Sequence, residues 1–293
     1  MLRLAKSGFR RDCASMNREF IFGLAAFASL LPSAVFALKQ GGISRGADGR
    51  SVSYWLTLGV AVCGPLAWAV VQSSGTWHTG LSITLWVTIA AAMVMFAMVV
   101  LLNPSAWRLT PLMTPYMALL AVLALIWRHA PETRPLLSDA LGGDPSAWVD
   151  AHILVSVATY ALVTIAAVAA LGALLQEKAL KNKRPTALSR LLPSVSESEW
   201  LLVRLLALGE IVLALGMATG MATQYRETGG LIVWDHKTIL SVTAFVVIAA
   251  LLLAQFVSGV RGRLVTRIVL IAYLLLSLGY PGVKFVTDVL IGQ

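Results

Sequence analysis

Long stretches with almost no charged residue recur along this 293-residue chain. They are roughly 18 to 24 residues long, and a helix needs about 20 apolar residues to cross ~30 Å of hydrocarbon. Charged residues make up only 13% of the chain, whereas an average soluble domain has about 25%. The pattern excludes an ordinary soluble fold and predicts an all-α, polytopic membrane protein.

The apolar stretches predict a bundle of eight transmembrane helices. They cover residues 20–38, 54–72, 81–102, 109–126, 152–175, 200–222, 238–257 and 265–280, and Pro281 bounds the last. By position, 1–19 is an N-terminal tail, 20–147 holds the first four spans and most of an outer loop, and 148–293 holds the last four spans.

Lysine and arginine are distributed unevenly between alternate loops. One set of loops holds Lys39, Arg45, Arg50, Arg108, Lys178, Lys181, Lys183, Arg184, Arg190, Arg261, Arg263 and Arg267, and the other holds Arg128, Arg134, Arg226, Lys237 and Lys284. The richer set should face the cytoplasm of a plasma (inner) membrane. The net charge of +9 is then a topology signal, and no nucleic-acid partner is predicted.

The N-terminal tail contradicts this orientation, because the orientation would place the five basic residues of the tail outside the cell membrane. They are Arg3, Lys6, Arg10, Arg11 and Arg18. Two alternatives remain open. Initiation at Met16 would leave only Arg18 in the tail. Alternatively, residues 1–37 are a signal peptide in which Pro32 breaks the apolar stretch and cleavage follows Val35-Phe36-Ala37. Cleavage would reverse every later loop and place the basic loop 176–190 on the wrong face.

All four histidines fall on the predicted outer side: His78, His129, His152 and His236. His152 and His236 each begin a span, with Trp148 and Trp234 close by. Histidines from two helices can hold a haem iron from both faces, and aromatic side chains stack on the porphyrin. The competing interpretation is that histidine and tryptophan simply favour the membrane interface.

Glu210 is the only ionisable residue between Leu205 and Thr219, near the middle of a predicted span. A charged carboxylate is costly at that depth, so Glu210 should face the bundle interior, be protonated or have a partner. One alternative function is therefore a transporter or channel component that uses Glu210. The other interpretation of this residue is a neutral carboxyl hydrogen-bonded to a neighbouring helix.

The loop 127–151 is acidic, with Glu132, Asp139, Asp144 and Asp150. Prolines and glycines predict turns around a short helix near 135–141. The loop could cover an outer pocket or dock another protein, which gives a second alternative function as a non-catalytic membrane partner. A solvated linker is the simpler interpretation.

The region from Trp148 onward resembles the cytochrome c assembly family of integral-membrane, haem-handling proteins. The likeness lies in three segments: 148–160, from Trp-Val-Asp-Ala-His to Tyr160; 229–238, Gly-Gly-Leu-Ile-Val-Trp-Asp-His-Lys-Thr; and Arg261-Gly262-Arg263. The second segment is similar to a shortened form of the family's tryptophan-rich WWD motif. His236 stands where the full motif has proline, which is closest to the short, eight-span, CcsA/HemX-like branch.

This resemblance implies a non-enzymatic inner-membrane protein that binds haem b and serves cytochrome c assembly. His152 and His236 would be the axial ligands, and the site would be lined by Trp148, Trp234, Asp235 and Tyr160. The implied partners are the lipid bilayer and an apocytochrome or other assembly proteins. The histidine-bearing loops would face the periplasm.

Overall fold

The computed structural model describes residues 2–39, 50–73, 80–128, 147–230, 234–260 and 262–286. Within these ranges every regular element is a helix, which confirms the predicted all-α class. The helices are α1 (Leu2–Lys39), α2 (Val52–Ser73), α3 (Leu81–Leu102), α4 (Thr110–Ile126), α5 (Ala147–Lys181), α6 (Ala187–Leu191), α7 (Val195–Thr228), α8 (His236–Ser258), α9 (Arg263–Ser277) and α10 (Val283–Phe285). A short 3-10 turn, Ala106–Leu109, precedes α4, and a π turn, Leu278–Gly282, joins α9 to α10.

Seven helices in the described ranges are long and apolar enough to cross a membrane, so the predicted count of eight is corrected to seven. The stretch predicted as the eighth span, 265–280, lies on α9, which has only 15 residues and a length of ~22 Å. Pro281 lies in the π turn that follows. Because proline has no backbone N–H, the regular α-helical hydrogen bonding ends before it. The first helix, in contrast, runs without a break through Pro32 to Lys39.

Local side-chain hydrogen bonds fix the ends of the two helices that carry Glu210 and His236. At the start of α7, the Ser194 hydroxyl accepts from the Glu197 N–H while the Glu197 carboxylate accepts from the Ser194 N–H. At the start of α8, the Asp235 carboxylate accepts from the Thr238 N–H at 2.7 Å. Helix α7 ends at Thr228 and is capped by Gly229, whose φ of 72° lies in the left-handed region that favours glycine.

The helices pack in two halves. In the first half, α1 packs against α2 and α4, and α3 packs against α2 and α4. In the second half, α5 packs against α7 and α9, and α8 packs against the same two helices. The helices α5, α7, α8 and α9 therefore close a four-helix ring, which the first half contacts mainly through α3 and α5.

Glycines in α7 let it approach α5 closely. A Cβ atom built at these positions would lie 3.0 to 3.5 Å from a side-chain atom of α5: Gly209 with Val163, Gly216 with Val155, and Gly220 with His152. Small residues at a four-residue spacing are typical of tight helix pairs in membranes. The α5–α7 contact therefore sets the position of the segment that contains His152.

The two ends of the ring differ in composition. The histidine end consists of the start of α5, the end of α7 and the start of α8. The basic end is the opposite one, where the Glu199 carboxylate accepts from the Gly262 N–H at 3.0 Å. There Arg263 also donates to Glu177 at 2.7 Å. These contacts hold the turn between α8 and α9 against α5 and α7.

Candidate functional site

His152 and His236 lie on opposite corners of the four-helix ring. His152 is in the second turn of α5 and His236 is the first residue of α8. Each of these helices packs against both α7 and α9. Facing helices of a bundle are the usual source of ligands for a cofactor in its core. The structure thus brings the two predicted ligands to the same end of one ring.

The His152 imidazole is held by a hydrogen bond to the backbone of α7. Its Nδ1 lies 3.0 Å from the Gly216 carbonyl oxygen and 3.3 Å from the Thr219 Oγ1. A carbonyl oxygen only accepts, so Nδ1 must carry the proton and donate it. In the neutral ring, Nε2 then has no proton and keeps a lone pair.

Thr219 and Gly220 also contact the ring. Together with Gly216 they form the surface of α7 on which His152 lies, called the His152 seat below. The Thr219 hydroxyl donates to the carbonyl oxygens of Leu215 and Gly216, both at 3.0 Å, which leaves its oxygen to accept from Nδ1. At Gly220 a Cβ atom would lie 3.0 Å from Cε1 of His152, closer than an ordinary contact. Any larger residue at this position would require the ring to shift by a few tenths of an ångström.

The seat gives His152 the properties of an iron ligand. Histidines that bind metals commonly donate the second ring nitrogen to a carbonyl or carboxylate, which fixes both tautomer and orientation. A ring with Nδ1 bound to Gly216 and Nε2 unprotonated fits that requirement. The residues present on α5 and α7 are therefore suited to hold the iron of a haem.

His236 lies exposed beside the charged cap of α8. Burial opposes ionisation of Asp235, but its hydrogen bonds with Thr238 and the nearby Lys237 and His236 hold the pKa of its carboxyl below the usual range. Asp235 is therefore ionised at neutral pH and caps the helix. The role of Asp235 in this structure is to position the start of α8, on which His236 lies.

Both predicted tryptophans are at the histidine end. Trp148 is one helical turn before His152 on the same face of α5, and 46% of its surface is exposed. Trp234 lies two residues before His236 and is 68% exposed. Their exposure leaves both rings accessible to a ligand or to lipid, and their predicted contact with haem stays a prediction.

Tyr160 lies on a different side of α5 from the His152 seat. Its hydroxyl is 3.0 Å from Ser277 Oγ and 3.3 Å from the Tyr273 hydroxyl. Tyr273 also shares a hydrogen bond with Tyr116 of α4. Eight residues separate Tyr160 from His152, or ~12 Å along the helix. The structure places Tyr160 in a hydroxyl cluster, and its predicted role in lining a haem site stays a prediction.

Glu210 has no hydrogen-bond partner among the described residues. Its side chain is 9% exposed, and both of its carboxyl oxygens are buried. Arg204, on the same helix, lies instead over the ring of Trp200 at 3.9 Å. The hydrogen bond to a neighbouring helix that the sequence suggested for Glu210 is therefore not formed in the described part of the chain.

Several predicted features lie outside the described residues. They are His78, His129, the helix near 135–141, and the loop acids Glu132, Asp139 and Asp144. Within the described ranges, no group of three or more His, Cys, Asp or Glu side chains is placed to hold a metal ion. A haem needs only two axial ligands from the protein, so this finding does not bear on it.

Comparisons with known proteins agree with the membrane architecture. The family described as Cytochrome C assembly protein matches residues 58–291. The match thus starts well before the motifs that begin at Trp148. The chain is also 53% identical over 277 residues to an "Uncharacterized 28.8 kDa protein in nifR3-like 5'region" of Azospirillum brasilense, covering 94% of this chain and 100% of that protein. No solved structure matches.

Proposed function

The chain belongs to the Cytochrome C assembly protein family, and we propose that it binds haem b between His152 and His236. Family membership supports a role in cytochrome c biogenesis for this multi-pass membrane protein. The proposal adds the ligand, the two residues that hold it and the side of the membrane. It assigns no catalytic residue, because holding and presenting haem requires only binding.

The observation that supports this function best is the seat of His152. A partly buried hydrogen bond from Nδ1 to the Gly216 carbonyl fixes the tautomer that leaves Nε2 without a proton and able to bind a metal. Iron in a bound haem offers two axial positions that imidazole nitrogens can fill. His152 would fill one of them from a fixed ring, and His236 would fill the other from the exposed start of α8.

The neighbouring residues have separate roles in this proposal. Trp148 and Trp234 would cover the apolar porphyrin with their exposed rings. Asp235 would act through the cap of α8, which positions His236, without touching the ligand. Tyr160 would support α5 on its adjacent, α9-facing side through hydroxyl contacts with Tyr273 and Ser277.

In the proposed orientation, the histidine end of the ring lies on the outer, periplasmic side of the inner membrane. The exposed basic residues of the α5–α7 connection, including Lys181, Lys183 and Arg184, lie at the other end of the ring. Loops rich in lysine and arginine stay on the cytoplasmic side. Haem at the histidine end would then face the compartment in which an apocytochrome or another assembly protein could meet it.

A haemin titration of the purified protein tests the ligand assignment. We expect a Soret band in the wild type, either as purified or after adding haemin, and a large loss of affinity in His152→Ala plus His236→Ala. The matched controls are His78→Ala and His129→Ala, which remove histidines from the same predicted side and should leave the spectrum unchanged. A double variant with wild-type spectrum and affinity would show that other groups bind the iron.

A further inference from the structure

The connection between α5 and α7 contains a group of cations with no role in the haem site. We call residues 178–190 the basic connection. Its five basic side chains are all exposed, and they are Lys178, Lys181, Lys183, Arg184 and Arg190. No aspartate or glutamate occurs between residues 178 and 196. Like charges this close repel one another, so a ligand that neutralises them is stabilising.

The nearest carboxylates are engaged in other contacts. Glu177 accepts from Arg263 at 2.7 Å. Glu197 caps the start of α7, and Glu199 accepts from the turn between α8 and α9. None of the five cations of the basic connection forms an ion pair with another residue that the structure describes. Their charges are therefore available to a ligand from outside the chain.

Hydrogen bonds hold the basic connection against the end of α5. Gln176 Nε2 donates to the carbonyl oxygens of Leu192 and Pro193, both at 3.0 Å. Within the connection, the Thr186 hydroxyl oxygen accepts from the Ser189 N–H and caps the short helix α6. Ser189 and Leu192 are both buried. The connection is thus folded back onto the span, and its cations form a surface of fixed shape.

Lys183 has a backbone conformation that favours glycine. Its φ is 52°, and it is the only non-glycine residue with a positive φ among those that the structure describes. The turn that ends α5 has hydrogen bonds from the Lys183 N–H to the Leu180 carbonyl and from the Arg184 N–H to the Ala179 carbonyl. Glycine is the usual residue in such a turn, because other residues are strained there. A lysine at this position indicates a function for its side chain.

The basic connection begins where the apolar surface of α5 ends. The helix continues for ~9 Å from Leu175, the last residue of its apolar run, to Lys181. The headgroup layer of a bilayer is about 5–7 Å deep on each side, and long lysine side chains bend towards it. Leu180, beside these lysines, is 69% exposed. Exposed apolar and basic residues together are typical of segments that lie in the headgroup layer.

We propose that the basic connection is a binding site for the headgroups of anionic phospholipids. The ammonium and guanidinium groups donate hydrogen bonds to the phosphate oxygens, and the net negative charge of the lipid complements the five cations. Leu180 adds apolar contact with the acyl chains. A zwitterionic lipid has the same phosphate but also a positive group, which these cations repel, so it binds more weakly.

This lipid site is separate from the proposed haem site and does not rest on it. Lys178 is ~39 Å along α5 from His152. The two sites therefore lie at opposite ends of the same helix, and substitutions in the basic connection leave the histidine end intact. Failure of the haemin titration would not affect the lipid proposal, and failure of the lipid experiments would not affect the haem proposal.

Native mass spectrometry of the full-length protein in a neutral detergent tests the site. We expect phosphatidylglycerol to bind more tightly than phosphatidylcholine. A Lys or Arg near a membrane surface contributes about fivefold in affinity for anionic lipid. Lys181→Gln plus Lys183→Gln should therefore weaken phosphatidylglycerol binding by roughly 25-fold.

The matched control removes the same charge from the opposite end of the ring. Arg226 and Lys237 are also exposed, and Arg226→Gln plus Lys237→Gln should leave the tight phosphatidylglycerol binding unchanged. An equal loss in this control, or equal affinity of the wild type for the two lipids, would overturn the proposed site.

Lys183→Gly separates lipid binding from folding. Glycine adopts a φ of 52° without strain, so the melting temperature in phosphatidylcholine should not fall. The affinity for phosphatidylglycerol should nevertheless fall about fivefold. An unchanged affinity, or a loss that comes only with a lower melting temperature, would contradict a ligand role for this side chain.

Inorganic phosphate distinguishes a lipid site from a site for a free anion. At the same concentration as the lipid, phosphate should neither displace phosphatidylglycerol nor raise the melting temperature, because it makes no apolar contact at Leu180. High salt should weaken phosphatidylglycerol binding, because exposed charges are screened. Phosphate that stabilises the protein as much as phosphatidylglycerol does, or lipid binding that is indifferent to salt, would overturn the assignment.

Discussion

A methyl group added at position 220 should displace the His152 ring. In Gly220→Ala the new Cβ would lie 3.0 Å from Cε1 and 3.3 Å from Nδ1 of His152. Carbon atoms pack at about 3.5–4.0 Å, so the ring has to withdraw by a few tenths of an ångström. The backbone of α7 supplies the contact on the same side, so the ring moves away from its hydrogen-bond acceptor.

The displacement should weaken iron binding without removing the ligand. The distance from Nδ1 to the Gly216 carbonyl oxygen is 3.0 Å, and a withdrawal of a few tenths of an ångström lengthens it to or past the usual limit of about 3.2 Å. Loss of such a supporting bond typically lowers metal affinity by about 10–100-fold. We expect the haemin Kd of Gly220→Ala to rise by that factor, or about 1.4–2.8 kcal/mol.

Two other glycines provide controls for the haemin titration. Gly209→Ala crowds the same α5–α7 interface, 3.2 Å from Val163 Cγ2 but three turns away from the seat, and Gly59→Ala meets nothing within 4 Å. All three variants share the gain in helix propensity of alanine over glycine. An unchanged Kd in Gly220→Ala, or an equal rise in Gly209→Ala, would refute the argument that the seat positions the iron ligand.

Three further variants test separate contacts. Tyr273→Phe removes the hydroxyl that contacts both Tyr116 and Tyr160, so the free energy of unfolding should fall by about 1–3 kcal/mol; an unchanged melting temperature would contradict the cluster. Arg263→Ala breaks an ion pair whose side chains are 42% and 35% exposed, so it should cost less than about 1 kcal/mol and less still at high salt; a larger, salt-independent loss would contradict this. Because the pKa of Asp235 is held below its usual range, its ionised form stabilises the fold at neutral pH and that stabilisation is lost as the pH falls through the folded-state pKa. In Asp235→Asn, which retains a good helix cap, melting temperature should depend less on acid pH; parallel pH curves for the two proteins would count against the ionised cap.

The spans were predictable because a bilayer imposes one length on every apolar helix. Charge-free stretches alone located the seven candidate spans found among the described residues. The eighth was over-counted because the apolar stretch 265–280 forms a regular helix of only 15 residues, Arg263–Ser277, which is shorter than a span requires. Pro32 lies inside the first helix, which continues to Lys39 as the predicted span 20–38 required, and only the signal-peptide alternative placed a break there.

The candidate site was predictable only in part. His152 stands out through its motif, but its seat comes from residues more than sixty positions later in the chain. The spacing of Gly216 and Gly220 indicates close helix packing, yet it does not say which side chain packs there. The contact of Tyr160 with Tyr273 likewise joins helices that sequence analysis cannot pair. Long-range pairing of helices decides these contacts, and local sequence does not encode it.

The central claim is that two histidines from opposite corners of the ring bind one haem iron. The most direct test is the electron paramagnetic resonance spectrum of the ferric haem complex of the full-length protein. The wild type should give the low-spin signal of an iron with two imidazole ligands, and His152→Ala and His236→Ala should each convert it to a high-spin signal. A low-spin signal that persists in both variants, or a high-spin signal in the wild type, would contradict the claim.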